Sequence, residues 1–199
     1  MKRLLAKITD KCNFECLHCL SNSSPRLSEI PIPKLRELLL LFAGNSYEDI
    51  IIVGGEPLLN LSHFKAFISL IDELNICYKE ISVITNGSYL LHENVYNYIK
   101  QLSTKSTIHI MISTDIFHKM NKEIDLKSIE AQYENIIEKL DILDESGWEV
   151  NGVLSLYAQG RAIENSNLIK SILQDKFNKQ VNLSDECLAY SALISEKYI

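Results

Sequence analysis

Short runs of β-branched and aliphatic residues alternate along this chain with longer stretches in which apolar residues recur every three or four positions. That alternation limits the fold more than any other feature, because a period of two and a period of 3.6 cannot occupy the same element. Strand-like runs are RLLAKIT (3–9), DIIIV (49–53), EISVIT (80–85), TIHIMIST (107–114), WEVNGVLSLY (148–157) and KQVNL (179–183). Helix-like stripes lie between them. The first is residues 33–44, with Pro33 near its start and Gly44 as C-terminal cap, and the second follows Ser62, read as an N-cap. Further stripes run through Val95–Leu102, Ile129–Leu143 and Leu168–Phe177, and Ser184 is read as capping a last helix to about residue 197.

Six β/α units in succession predict an α/β fold with a parallel sheet and helices covering it. Right-handed crossovers then bring the C-terminal ends of all strands to one side, where such folds build their sites. No repeat, low-complexity tract or linker interrupts the pattern, so residues 1–199 are read as one core domain, with residues 179–197 as its sixth unit.

The loop after the first strand holds an unusual concentration of sulfur. In DKCNFECLHCLSN (10–22), three of the chain's five cysteines, Cys12, Cys16 and Cys19, fall within eight positions. The chain shows no run of roughly 18 apolar residues that would span a bilayer, and the stretch after Met1 is too soon interrupted by charge for a signal peptide. A cytoplasmic location is therefore expected, and thiols kept reduced there serve metals or redox chemistry rather than disulfides. A net charge of −6 and a pI near 5.4 speak against general nucleic-acid binding. Three thiolates at these spacings suit two metal centres. Zinc would need His18 as a fourth ligand. A cubane iron–sulfur cluster would be held through three irons, leaving the fourth iron open to a ligand.

Three more short motifs follow strands two, three and four: Gly54-Gly55-Glu56-Pro57, Thr85-Asn86-Gly87 and Ser113-Thr114-Asp115. Cys-x3-Cys-x2-Cys followed in order by GGEP, TNG and SxD resembles the radical S-adenosylmethionine (SAM) enzymes over residues 3 to about 160. The resemblance implies a partial (β/α)6 barrel, a [4Fe–4S] cluster on Cys12, Cys16 and Cys19, and SAM on the open iron. It implies reductive cleavage of SAM to a 5′-deoxyadenosyl radical that abstracts hydrogen from a substrate, with an external one-electron reductant.

Within the resemblance, Glu56 is expected to accept from the SAM amino group, and Glu56→Ala to weaken SAM binding while sparing the cluster. Gly54 and Gly55 allow close backbone approach, and Pro57 fixes the exit of the turn. Ser113 and Asp115, two apart on a strand, face the ribose hydroxyls. Asn86 contributes at the same rim, His18 lies near the adenine, and Arg161 in QGRA (159–162) pairs with the SAM carboxylate. Leu154 and Leu156 are weaker candidates for the adenine pocket.

The alternatives are a structural zinc module on the cysteines and His18, plain turns at GGEP and TNG, a capping role for Asp115 and a surface role for Arg161. Cys77 reads as a small buried hydrophobe and Cys187 as helix packing. STDIFHK (113–119) with QGRA looks most like members that mature peptides, so a peptide or protein substrate is expected, with a partner protein covering an open barrel mouth. A small-molecule enzyme or glycyl-radical activator is the second reading. For the activator, the Asp-x-Lys expected on the fourth strand is lacking, since Ile116 and Phe117 follow Asp115.

Overall fold

In a computed structural model of the chain, which describes residues 2–16, 19–90, 92–113, 152–157 and 183–184, the apolar runs pair as parallel strands. They are β1 (Arg3–Thr9), β2 (Asp49–Gly54), β3 (Glu80–Thr85), β4 (Thr107–Ser113), β5 (Gly152–Tyr157) and β6 (Leu183–Ser184). Between them lie α1 (Ile32–Leu39), continued by a 3-10 turn Leu40–Phe42, then α2 (Leu61–Glu73) and α3 (Glu93–Ser103).

The sheet order is β1-β2-β3-β4-β5-β6, with every neighbouring pair parallel. An order that never reverses winds all crossovers the same way. It therefore stacks the helices on one face and curls the sheet as in a barrel, rather than sandwiching it as in a doubly wound fold. Among the described residues no pairing joins β6 to β1, so this is a partial (β/α)6 barrel.

The strand period decides which side chains meet the helices. Ile50 and Ile52, Ile81 and Val83, and Ile108 and Ile110 join Leu35, Leu39, Phe64, Phe67, Ile68, Ile71, Val95, Ile99 and Leu102 in one core. Burying each of these side chains contributes about 1.5–3 kcal/mol. The alternate positions, Asp49, Ile51 and Val53 on β2, Ser82 and Ile84 on β3, His109, Met111 and Ser113 on β4, line the opposite, concave face.

Several local expectations are corrected. Asn60, not Ser62, caps α2, its side-chain oxygen accepting from His63 N at 3.2 Å. A cap two residues earlier draws Leu61 into the first turn, where it packs against the core. Cys77 is exposed rather than buried: in the turn after α2 the residue before it, Ile76, takes the inward position. Ser184, read as a helix cap, belongs with Leu183 to the sixth strand, and residues 179–182 of its expected run lie outside the described residues. Gly44 does take the left-handed conformation of a cap, at φ +70°. The helices expected after β4 and β5, Cys187, and residues 148–151 lie outside the described residues.

Asp49 is a carboxyl that the apolar run carries into the interior. It is buried at the N-terminal end of β2, with Ser82 Oγ donating to its Oδ2 at 3.1 Å, while Oδ1 has no hydrogen-bond partner among the described residues. Burial raises its pKa from 3.8 to about 6, with the charge of Glu80 acting the same way and Ser82 and Arg3 opposing. A carboxyl whose folded value exceeds its unfolded value loses stability on ionising, here as pH rises from about 4 to about 6. Asp49→Asn is accordingly expected to raise unfolding stability by on the order of 2 kcal/mol at neutral pH and by little near pH 4. Urea unfolding at both pH values checks this, and an equal gain at both would contradict it.

Candidate cofactor site

The cysteine loop is fastened at both ends. Asp10 N donates to Ser28 O and Cys12 N to Ser24 O, each at 3.2 Å, and Lys11 N to Thr9 Oγ1 at 3.0 Å. Within the loop, Cys19 N bonds Cys16 O and Asn22 N bonds Cys19 O, each at 3.1 Å. Asn22 has φ +48°, a left-handed turn that asparagine tolerates better than most residues. Cys12 is buried, and Cys16 and Cys19 are half-buried.

Backbone donors already reach sulfur in this loop: Phe14 N donates to Cys12 Sγ and Ser23 N to Cys19 Sγ, both at 3.3 Å. Donors aimed at sulfur favour the anionic form that binds metal. Burial nevertheless raises the Cys12 pKa above its ordinary value. Glu56 and Cys19 push it the same way, and Phe14 N–H and the Asn86 amide act against them. A buried thiolate under that burden is relieved by a cation.

GGEP is packed directly against this loop. Gly55 N donates to Thr9 O and Glu56 N to Lys11 O, both at 2.9 Å, so the β1–β2 pairing runs on past the strands. A Cβ on Gly54 would stand 2.6 Å from Thr9 O, and one on Gly55 2.2 Å from Lys11 O. The glycines are needed for contact between two backbones. Pro57 is buried behind them.

Glu56 is 1% exposed, and its carboxylate faces inward. Oε1 accepts from Leu58 N at 3.0 Å and Thr85 Oγ1 at 2.7 Å, and Oε2 accepts from Asn86 N at 2.7 Å. The second motif thus holds the third. Asn86 in turn donates through Nδ2 to Asn13 Oδ1 at 2.9 Å and to Cys12 Sγ at 3.8 Å, which returns the chain of contacts to the cysteine loop.

Cys12, Gly54, Gly55, Glu56, Pro57 and Asn86 are therefore gathered at one end of the sheet. Cys16 and Cys19 sit on the same loop, and Ser113 ends β4 on the concave face. His18, Asp115 and Arg161 lie outside the described residues. The register of β5 places Leu154 beside Ile110 of the helix-side core and Leu156 beside Ile112. The β5 positions in line with Met111 and Ser113 are Ser155 and Tyr157.

Asn13, Ser88 and His63 were not foreseen, and Thr85 was named only as part of its motif, without a role. Asn13 and Ser88 are polar neighbours of the motifs. His63 Nε2 lies 3.0 Å from Ile8 O and ties α2 to the end of β1. The one sequence signal for Asn13 and Ser88 was their closeness to Cys12 and Asn86.

Among the described residues no three His, Cys, Asp or Glu side chains stand around a single point, and His18, the fourth ligand a zinc site would need, lies outside the described residues. Three thiols on one loop, with N–H groups directed at the Cys12 and Cys19 sulfurs, are a donor set that a three-cysteine iron–sulfur cluster can use.

A parallel partial barrel carrying a three-cysteine loop on β1, with a glycine-rich turn on β2 packed against it, defines a class of cofactor-binding α/β proteins. Residues 6–161 match the Radical SAM superfamily, and the chain belongs to that superfamily. Its cofactors are a [4Fe–4S] cluster and S-adenosylmethionine.

The chain is 27% identical over 161 residues to a GTP 3′,8-cyclase of Staphylococcus epidermidis, covering 75% of this chain and 44% of that protein. It is 29% identical over 161 residues to a GTP 3′,8-cyclase of Pasteurella multocida, covering 76% and 44%. The fold is similar to that of native anSMEcpe with bound AdoMet and Cp18Cys peptide, with a TM-score of 0.55 at 20% identity, covering 91% of this chain and 50% of that one. The chain thus spans about half the length of these proteins. Among the described residues no helix is long and apolar enough to cross a membrane.

Proposed function

We propose that this chain is the catalytic core of an enzyme that cleaves S-adenosylmethionine reductively and abstracts hydrogen from a peptide or protein. The observation that carries the reading is the continuous hydrogen-bonded path from Cys12 through Asn86 to Glu56, which makes the cysteine loop, GGEP and TNG one unit. When bound, the cluster and SAM supply one-electron cleavage of a sulfonium and a 5′-deoxyadenosyl radical.

The chain's own residues bind and shield. Cys12, Cys16 and Cys19 each hold one iron. Glu56 places a carboxylate beside the loop, where the SAM ammonium group would meet it, while fixing Thr85 and Asn86. Gly54, Gly55 and Pro57 set the backbone wall. Ser113, with Asp115, receives the ribose, His18 faces the adenine, and Arg161 pairs with the SAM carboxylate.

Residues 1–199 form one such core in this reading, working in the reducing cytoplasm with an external low-potential electron donor. A partner protein or a bulky substrate closes the barrel mouth. The peptide assignment draws on STDIFHK and QGRA and on the peptide named with the anSMEcpe structure. The GTP 3′,8-cyclase relatives favour a second reading, a nucleotide substrate.

Anaerobic reconstitution with iron and sulfide, followed by dithionite and SAM, is expected to yield 5′-deoxyadenosine. Cys16→Ala is expected to lose the cluster's visible absorbance. A fully loaded protein that forms no 5′-deoxyadenosine would leave only a binding module. Stimulation of product formation by GTP but not by candidate peptides would favour the second reading.

A further inference from the structure

Three side chains beside Cys12 close a ring of hydrogen bonds. Asn13 Nδ2 donates to Ser88 Oγ at 3.1 Å, Ser88 Oγ donates to Asn86 Oδ1 at 2.5 Å, and Asn86 Nδ2 donates to Asn13 Oδ1 at 2.9 Å. Each group both gives and receives, so every bond polarises the next in the same sense. The ring joins the cysteine loop to the turn after β3.

The ring also settles which way the Asn86 amide points. Ser88 N donates to Asn86 Oδ1 at 3.0 Å, and a backbone N–H can only donate. The atom facing Ser88 must therefore be the oxygen, and the NH2 group is turned toward the cysteine loop. Of its two hydrogens, one goes to Asn13 Oδ1 and the other is directed at Cys12 Sγ, 3.8 Å away. All four hydrogen-bonding positions of the Asn86 amide are thereby used. Its backbone is fixed independently, through the 2.7 Å bond from Asn86 N to Glu56 Oε2. An amide held at every position cannot turn away when charge on the sulfur changes.

We propose that the Asn13–Asn86–Ser88 ring is a positioning device that aims the Asn86 N–H at the Cys12 thiolate and thereby raises the reduction potential of the cluster. The inference rests on the reading of Cys12 as a cluster ligand. Reduction adds one electron from a low-potential donor and makes the cluster and its sulfurs more negative. A donor directed at a ligand sulfur stabilises that state more than the oxidised one. Because the donor is pre-oriented, little reorganisation accompanies the electron's arrival.

The test is a reductive titration of the full reconstituted chain without SAM, following the paramagnetic reduced cluster, with iron and sulfide contents measured in parallel. Asn86→Ala is expected to keep its iron and to be reduced about tenfold less favourably, a fall of about 59 mV for one electron. Ser88→Ala keeps the amide but removes its lock and is expected to shift the potential in the same direction by less. A fully loaded Asn86→Ala protein with wild-type potential overturns the proposal. If Asn86→Ala does not retain iron, Ser88→Ala decides: a lowered potential supports the proposal and an unchanged one overturns it. Loss of iron in both variants would show that the ring serves assembly of the loop and not its potential, and would also overturn the proposal. Failure of the wild-type chain to take up iron on its cysteines would sink the cofactor reading itself, a result distinct from all of these.

Discussion

Alanine at position 55 is expected to unseat the cysteine loop. Its Cβ would lie 2.2 Å from Lys11 O, 2.6 Å from Lys11 C and 2.9 Å from Cys12 Cβ. None of these atoms is the end of a flexible side chain, so no rotamer change relieves the clash. Either the bonds from Gly55 N to Thr9 O and from Glu56 N to Lys11 O open, or Lys11 and Cys12 move bodily outward. The cost falls at the upper end for overpacking, about 3 kcal/mol, and is concentrated where Cys12 must hold its metal. Iron uptake and the urea midpoint should fall together. A Gly55→Ala protein that loads iron and unfolds like wild type would refute this account of the glycine.

Removal of the Glu56 carboxylate is expected to cost as much or more. Glu56→Ala strands the N–H groups of Leu58 and Asn86 and leaves the Thr85 hydroxyl without this acceptor; the Leu58 and Thr85 bonds are buried and the Asn86 bond is partly so. At about 1–3 kcal/mol for each buried group left unsatisfied, the loss is roughly 3–5 kcal/mol after partial relaxation. Glu56→Gln is expected to be milder but not neutral, because its NH2 must face one of the three donors. The geometry also changes what the alanine variant should do to the cofactors. Asn86 is anchored by Glu56, so the cluster environment is disturbed along with SAM binding, rather than being spared. Denaturant unfolding, paired with SAM titration and iron analysis, separates the two effects. Wild-type stability in Glu56→Ala would remove the carboxylate from its structural role.

The sequence disclosed the strands most fully where one physical signal acted alone. The runs at 3–9 and 80–85 coincide with β1 and β3, and DIIIV lacks only the final Gly54 of β2, since continuous apolar runs between turn residues leave few alternatives. The alternation of elements put GGEP and TNG at the C-terminal ends of β2 and β3, where the structure has them. Helix starts were less legible, because Asn60 and Ser62 are both good caps and only tertiary packing of Leu61 chooses between them. Cys77 was misread because the sequence does not say which of two adjacent apolar residues turns inward, and it is Ile76 that is buried. Within the site, residue types suggested which groups matter but not which partner each would choose. Glu56 stood out as a group facing a ligand, but nothing in the sequence told that it would also accept from Leu58 N, Thr85 Oγ1 and Asn86 N of its own fold. The Asn13–Asn86–Ser88 ring was invisible because Asn13 lies 73 and 75 positions from the other two, and nothing local requires them to meet.

Strands that pair in the order in which they are made have a consequence for how such a chain is born. The contacts binding Cys12, Glu56, Asn86 and Ser88 are all contained within the first 88 residues, ahead of β4. None of these bonds needs anything from β4 onward, so a nascent chain already holds all their partners before β4 is made. The later strands are therefore free to diverge toward new substrates without rewiring the corner around Cys12.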